Sequence, residues 1–348
     1  YISSFVEIDA TDLGCSNHRF VRYNNSRLTG KVFLATPFLF NDPSDCRIGI
    51  SNNTSELNKD GIKLKTKLEE IGLSDDKYVM GLLNNDVEIV EEVWNKQLSK
   101  LGVLCLSKKA TDKLFWGYYT NNDGFCVEYD GEKIVERIVI AYIYCLDYEL
   151  TEHLFERTKY SQEPSDRCKN KKTSEIDKAV KIFNVVDLAS ITNPYLRPFI
   201  NSKRKQALVR NFIINICLKR FGCNNMIYKH ISKMKAPKLF YTGNENDILD
   251  KYYTKTKDWK KEDEFRIVAS LGGNMLADLG KDMVKSIRFG CNITLPHFVS
   301  LLSILAKEEM TNVPLYKMKN NLAKGELEDC PLDNKLAFYN LQKLESLL

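Results

Sequence analysis

Residues 255–270, KTKDWKKEDEFRIVAS, restrict the fold more than any other stretch, because their second half alternates with a period of two. Phe265, Ile267, Ala269 and Leu271 fall on one face, and Glu262, Glu264 and Arg266 on the other. The pattern predicts a half-buried strand that carries two acids. A carboxylate at the edge of a core is raised in pKa by desolvation and lowered by a nearby Arg or Lys, so its charge can be set for a task. The plainer reading is a solvated strand face with an internal Glu and Arg pair.

The 348 residues, 43% hydrophobic and 28% charged, are enough for a sizeable core, either as one large domain with insertions or as two domains. A net charge of +5 permits a nucleic acid or another anionic partner without requiring one. No apolar run reaches membrane-spanning length, and no basic segment followed by an apolar one opens the chain, so a cytoplasmic protein is expected. The ten cysteines form no CxxC pair, and the four histidines form no HExxH. Neither a metal site nor a disulfide framework is expected.

Read in order, residues 31–36 form a strand that ends at Pro37 and the Asn41-Asp42-Pro43 turn. Arg22, Tyr23, Phe38 and Phe40 lie close by in sequence. Val87, Val90, Val93, Trp94, Leu98 and Leu101 predict one amphipathic helix closed by Gly102, followed by a buried strand over 103–107. Residues 112–130 read as an aromatic-rich helix or turn, an Asn-Asn-Asp-Gly break, and a strand with Phe125, Val127 and Tyr129 on one face. Trp116, Tyr118 and Tyr119 are either core or a platform for a flat ring. The apolar run 138–145 reads as a central strand buried on both faces.

Residues 156–178 read as a mobile surface loop, followed by helices over 175–189 and 199–221, the second stopped by Gly222. Lys203, Arg204, Lys205 and Arg210 would give that second helix a basic face, solvated or set against phosphates. A strand over 284–289, a helix over 296–307, a strand over 313–317 and a helix over 333–348 complete the chain. About seven short strands separated by helices indicate an α+β fold. With no GxGxxG after a first strand and no Walker loop, neither a Rossmann nor a P-loop protein is indicated.

Three pieces together resemble a bacterial family, domain-of-unknown-function family 2971. They are Arg22-Tyr23 before a strand and Phe40-Asn41-Asp42-Pro43, then VLCLS (103–107) before WGYYTNNDGFCVEYD (116–130), then the region of KTKDW (255–259) and E-x-E-x-R (262–266). The likeness spans residues 20–320. The chain departs from the family pattern at Lys261, where an aromatic residue is usual, and at Gly117 and Tyr118, which replace Ser and His.

The family in turn resembles the ADP-ribosyltransferase fold, a split, curved β-sandwich that grips NAD. The resemblance implies one domain over 1–348, with helical insertions at about 52–100 and 150–235. It implies an NAD-consuming enzyme that cleaves the nicotinamide–ribose bond. ADP-ribose would pass to a protein or nucleic acid, or to water, in a bacterial toxin or anti-phage effector with a possible regulatory partner. Glu264 would be the acid near the ribose and Glu262 the group that activates the acceptor. Arg22 would hold the pyrophosphate; Tyr23, Phe40, Trp116 and Tyr119 would pack on rings; Asn41 and Ser107 would hydrogen-bond the amide or ribose. The alternatives are a nucleic-acid protein using the basic helix and an inert interaction module.

Overall fold

The computed structural model describes residues 2–6, 29–40, 45–46, 66, 70, 77, 81, 86–131, 133–146, 148, 151–152, 154–155, 173–225, 227–229, 252–270, 272–321, 323 and 325–345. Its strands are β1 (Ile2–Val6), β2 (Lys31–Leu34), β3 (Gly102–Ser107), β4 (Phe125–Tyr129), β5 (Phe221–Asn225) and β6 (Ile227–Lys229). These are followed by β7 (Thr254–Thr256), β8 (Glu264–Ala269), β9 (Met275–Asp278), β10 (Val284–Phe289), β11 (Leu315–Asn321) and β12 (Glu326–Pro331). The helices are α1 (Val87–Leu98), α2 (Lys113–Thr120), α3 (Ile134–Cys145), α4 (Thr173–Val185), α5 (Arg197–Ile200), α6 (Gln206–Arg220), α7 (Leu295–Lys307) and α8 (Asn334–Glu345).

One eight-stranded sheet, ordered β12-β11-β10-β4-β1-β3-β8-β5, organises the molecule, and two-stranded sheets β2-β9 and β6-β7 flank it. In the large sheet β10 and β11 are parallel, and the connection between them carries α7, as a parallel pair requires. The other neighbours in that sheet are antiparallel. The fold is therefore mixed α+β with open sheets.

Alternation along each strand separates two cores. On one face Leu104, Leu106, Phe125, Val127, Tyr129, Ile267, Ala269, Ile287 and Phe289 pack against α3 and α7. On the other, Val103 and Val268 pack with Trp94 and Leu98 of α1, while Cys126, Met318 and Leu327 pack around Trp116 of α2. A third cluster joins α3 to α4, α5 and α6.

Local signals explain where the helices begin. Asp86 accepts from the Ile89 amide at 3.2 Å, and Asp112 from the Leu114 amide at 2.8 Å, so each caps the helix after it. Asn121, in the left-handed region at φ 49°, ends α2.

The structure corrects several expectations. Residues 138–145 belong to helix α3, not to a central strand. Ile134, Ile138, Ala141 and Tyr142 recur at helical spacing, but Val139 and Ile143 are also buried, against the third cluster. A helix packed on two sides loses the polar stripe that reveals its period.

Helix α1 ends at Leu98 with Ser99 as its cap, so Gly102 opens β3 and does not close the helix. A Cβ at Gly102 would stand 2.2 Å from the Gly272 carbonyl oxygen, which makes that close approach possible only for glycine. Gly222 does not stop α6; it lies in β5 opposite Val268, and the helix runs straight into the strand. Thus β5, from a span expected as a helical insertion, forms an edge of the main sheet. Helix α4 already begins at Thr173, inside the expected loop, whose residues 156–172 lie outside the described ones. Strands β1, β5, β6, β7, β9 and β12 were not legible in the sequence.

Candidate functional site

Strand β8 is the expected alternating strand, but it starts at Glu264. Residues Lys257–Glu262 form a 3₁₀ helix, and Asp263, at φ 45°, makes the corner into the strand. Glu262 is therefore not on the strand face with Glu264, and its side chain lies outside the described residues. The two faces of β8 separate as the period predicts, with Phe265, Ile267 and Ala269 on the first core and Glu264, Arg266 and Val268 on the opposite side. That opposite side is buried and not solvated: Glu264 is 5% exposed and Arg266 1%.

The cover comes from two other segments, Asp45-Cys46 and 252–255 leading into β7. Arg266 lies flat between two carboxylates. Its Nε donates to Glu264 Oε1 at 2.5 Å and its Nη2 to Glu264 Oε2 at 3.2 Å. Nη1 donates to Asp45 Oδ1 at 2.8 Å and Nη2 to Asp45 Oδ2, while Nη1 also reaches the Tyr252 carbonyl at 3.1 Å. All five guanidinium N–H groups are thus used inside the protein. Lys255 Nζ joins both acids, 3.4 Å from Glu264 Oε2 and 3.6 Å from Asp45 Oδ2. Two cations thereby balance two carboxylates.

Burial alone would raise the pKa of Asp45 and Glu264. The charge and hydrogen bonds of Arg266, helped by Lys255, more than reverse this and hold both below the ordinary carboxylate value. Both acids are consequently fixed in the charged form. Burial pushes the Cys46 and Cys105 thiols up, so both stay protonated, and the Cys105 thiol donates to Glu264. Groups held this firmly suit electrostatic stabilisation and not proton shuttling.

Aromatic rings wall the cluster. Phe40 lies 5.2 Å from the Arg266 guanidinium, and Trp259 lies 4.7 Å from Lys255 Nζ, both as cation–π contacts. Trp94 stacks on Tyr252 at 5.6 Å and donates its indole N–H to the Cys46 carbonyl at 3.1 Å. Cys46 is in the left-handed region at φ 57°, sparsely used by residues other than glycine, and the bonds from Trp94 and Arg266 on either side hold it there.

Of the residues expected at the site, Glu264, Phe40 and Ser107 come together around β8. Ser107 stands directly opposite Glu264 in the ladder, although its hydroxyl bonds the Lys109 backbone at 3.1 and 3.2 Å. Trp116 goes elsewhere: it is 0% exposed within a separate cluster and donates to the Ala110 carbonyl at 2.8 Å, so its ring serves as core. Tyr119 stacks on Phe115 at 5.3 Å. Arg22, Tyr23 and Asn41 lie outside the described residues, as does Asp42.

Arg266 partners an acid, as its sequence position suggests. Asp45, Cys46, Lys255 and Trp259 were missed. One signal was available for Asp45: an arginine on a buried strand needs more carboxylate than one neighbouring Glu supplies.

The basic residues near α6 are arranged differently from the expected helix face. Of the four expected on it, Lys203, Arg204 and Lys205 sit in the turn before it, and Arg210 is on it. Lys205 lies over the Phe199 ring at 5.4 Å and Arg210 over Phe183 at 5.7 Å. No helix among the described residues is long and apolar enough to cross a membrane, and no group of His, Cys, Asp or Glu among them could hold a metal ion. Comparison with known proteins finds no matching family model, no matching curated protein and no matching solved structure.

Proposed function

We propose that the chain is an NAD-consuming enzyme of ADP-ribosyltransferase type, with Glu264 as the carboxylate that faces the nicotinamide ribose. The observation that supports this most is the state of Glu264. It is a charged acid at the first residue of a late strand, immobilised by Arg266 and Lys255 and set among aromatic rings. Loss of nicotinamide leaves positive charge on the ribose, and a carboxylate that cannot be protonated near neutral pH stabilises that charge without reorganising. The split β-sandwich, and transfer of ADP-ribose to a macromolecule, belong to the same proposal.

One observation favours a second reading. Every N–H of Arg266 is used within the cluster, and its charges cancel, as expected of a clasp that fastens Asp45-Cys46 to the sheet. The experiment that separates the two is nicotinamide release from NAD by wild type, Glu264→Gln and Glu264→Asp, with melting temperature followed in parallel. The enzyme reading expects release by wild type and a loss of about 10²-fold or more in Glu264→Gln. Glu264→Asp keeps the charge but shortens the reach, so it too should lose rate while it stays folded. The reading fails if wild type releases no nicotinamide, or if a folded Glu264→Gln releases it as fast as wild type.

A further inference from the structure

Charge is unevenly placed along the chain. Residues 188–244 hold eleven Lys and Arg and no Asp or Glu, whereas the whole protein carries +5, so the remainder holds more acids than bases. Segregation of this kind points to a polyanionic partner, because solubility alone is served as well by mixed charges. Five of these cations come together on two helices and the turn between them. Arg197 opens α5, Lys203, Arg204 and Lys205 make the turn, and Arg210 follows on α6; the last four are exposed. The three in the turn crowd the start of α6, where the helix dipole is already positive and no acid stands in the first turn. That placement works against the fold and is offset when an anion is bound.

Rings run beside the cations. Lys205 Nζ lies over Phe199 at 5.4 Å, Tyr195 stacks on Phe199 with centroids 5.8 Å apart, and Tyr148 meets Tyr195 edge-on at 5.4 Å. Tyr148 is 47% exposed, and Tyr195 and Phe199 are partly exposed. We infer that this strip, from Tyr148 to Lys205 with Lys203, Arg204 and Arg197 beside it, is a binding surface for single-stranded nucleic acid. The cations follow the phosphates, and the rings take unpaired bases. A duplex keeps its bases stacked on one another and would leave the rings unused. An anionic membrane calls for an apolar side chain that enters the bilayer interface, and no large hydrophobic is exposed among the described residues of 188–225.

The test is fluorescence anisotropy of the full-length protein with a labelled oligothymidylate, a labelled oligouridylate and a duplex of the same length, over a range of salt, with melting temperature followed in parallel. At least one single strand is expected to bind more tightly than the duplex, and its comparison with the other tells DNA from RNA. Removing three cations in Lys203→Ala/Arg204→Ala/Lys205→Ala should flatten the slope of log K against log salt by about 2, since each single-strand phosphate contact contributes about 0.7. Tyr148→Ala and Tyr195→Leu should each weaken single-strand binding about five- to hundredfold, the scale of one stacked base, with the slope unchanged. Lys203→Arg/Lys205→Arg keeps the charge and should bind as wild type does.

The inference is overturned if neither single strand binds, if the duplex binds as tightly as they do, or if the folded triple variant keeps the wild-type affinity and slope. It is equally overturned if Tyr148→Ala, which removes an exposed ring and leaves the third cluster in place, binds as wild type does. Vesicles of phosphatidylserine and phosphatidylcholine that bind as tightly as the single strands would show a general polyanion surface instead. Nicotinamide release enters none of these readings, so the nucleic-acid surface and the NAD reading stand or fall separately.

Discussion

Replacing Arg266 with Met tests the charge cluster most directly. The side chain is 1% exposed and lies between Asp45 and Glu264, whose side chains are 2% and 5% exposed. Methionine fills similar space and brings no donor, so two buried carboxylates would be left with Lys255 at 3.4 and 3.6 Å as their remaining cation. Breaking a buried pair in this way costs about 3–5 kcal/mol, because the cost is that of an uncompensated buried charge. For a chain of 348 residues that corresponds to a fall in Tm of roughly 4–7 °C, read by scanning calorimetry or circular dichroism.

The dependence on pH gives the sharper check. In wild type, Asp45 and Glu264 have folded pKa values below their ordinary ones, 3.8 and 4.5. Their stabilisation is therefore full above those values and is lost as pH falls through the lower folded ones. In Arg266→Met burial is opposed by Lys255 alone, and the folded values should rise above the unfolded ones. The charged form is then what destabilises the variant, so protonation relieves it. The stability gap between wild type and variant should narrow as pH drops from about 7 to about 4.5. A variant that melts within 1 °C of wild type, or a gap that widens on acidification, would refute the account of a buried, ionised cluster.

Three further outcomes follow from the same packing. Trp94→Phe keeps the ring stacked on Tyr252 but leaves the buried Cys46 carbonyl without its indole donor, and should lose about 1–3 kcal/mol in urea unfolding. Ile143→Ala, 0% exposed between α3 and the helical cluster, should lose about 2–5 kcal/mol by the same measurement. Lys281→Ala removes an ion pair with Glu308 that is 2.7 Å long but 49% and 43% exposed; it should change stability by less than about 1 kcal/mol, the effect shrinking further in high salt.

The sequence made some elements plain because polar or charged side chains mark one side of each, as Glu128 does in β4 and Arg288 in β10. Helices α1 and α7 and strands β4 and β10 fall where periodicity puts them. Where an element is covered on both sides the period disappears, as it does for α3, which lies between the sheet core and the third cluster. Strand β12, ELEDCP, failed for the opposite reason. It is a mostly polar edge strand with Leu327 as its buried residue, and β11 supplies its ladder, so its own composition carries little signal.

The candidate site was half legible for a related reason. A period of two fixes which side chains of β8 share a face, and that much held: Glu264 and Arg266 do lie together, away from Ile267 and Ala269. What a period cannot say is what covers that face. The cover here comes from residues 45–46, about 220 positions earlier in the chain, and from 252–255. Once it is in place the usual logic of a charged strand face reverses. In water a Glu and Arg pair two residues apart contributes little. Under Asp45, Lys255 and Phe40 the same pair becomes one of the most expensive groups in the fold to break, and its carboxylate is locked into a single charge state. An acid so constrained has lost the freedom to act as a base. What it retains is a fixed charge beside Lys255, over which Trp259 lies, and on the proposed reading that is the property by which it stabilises a cationic sugar.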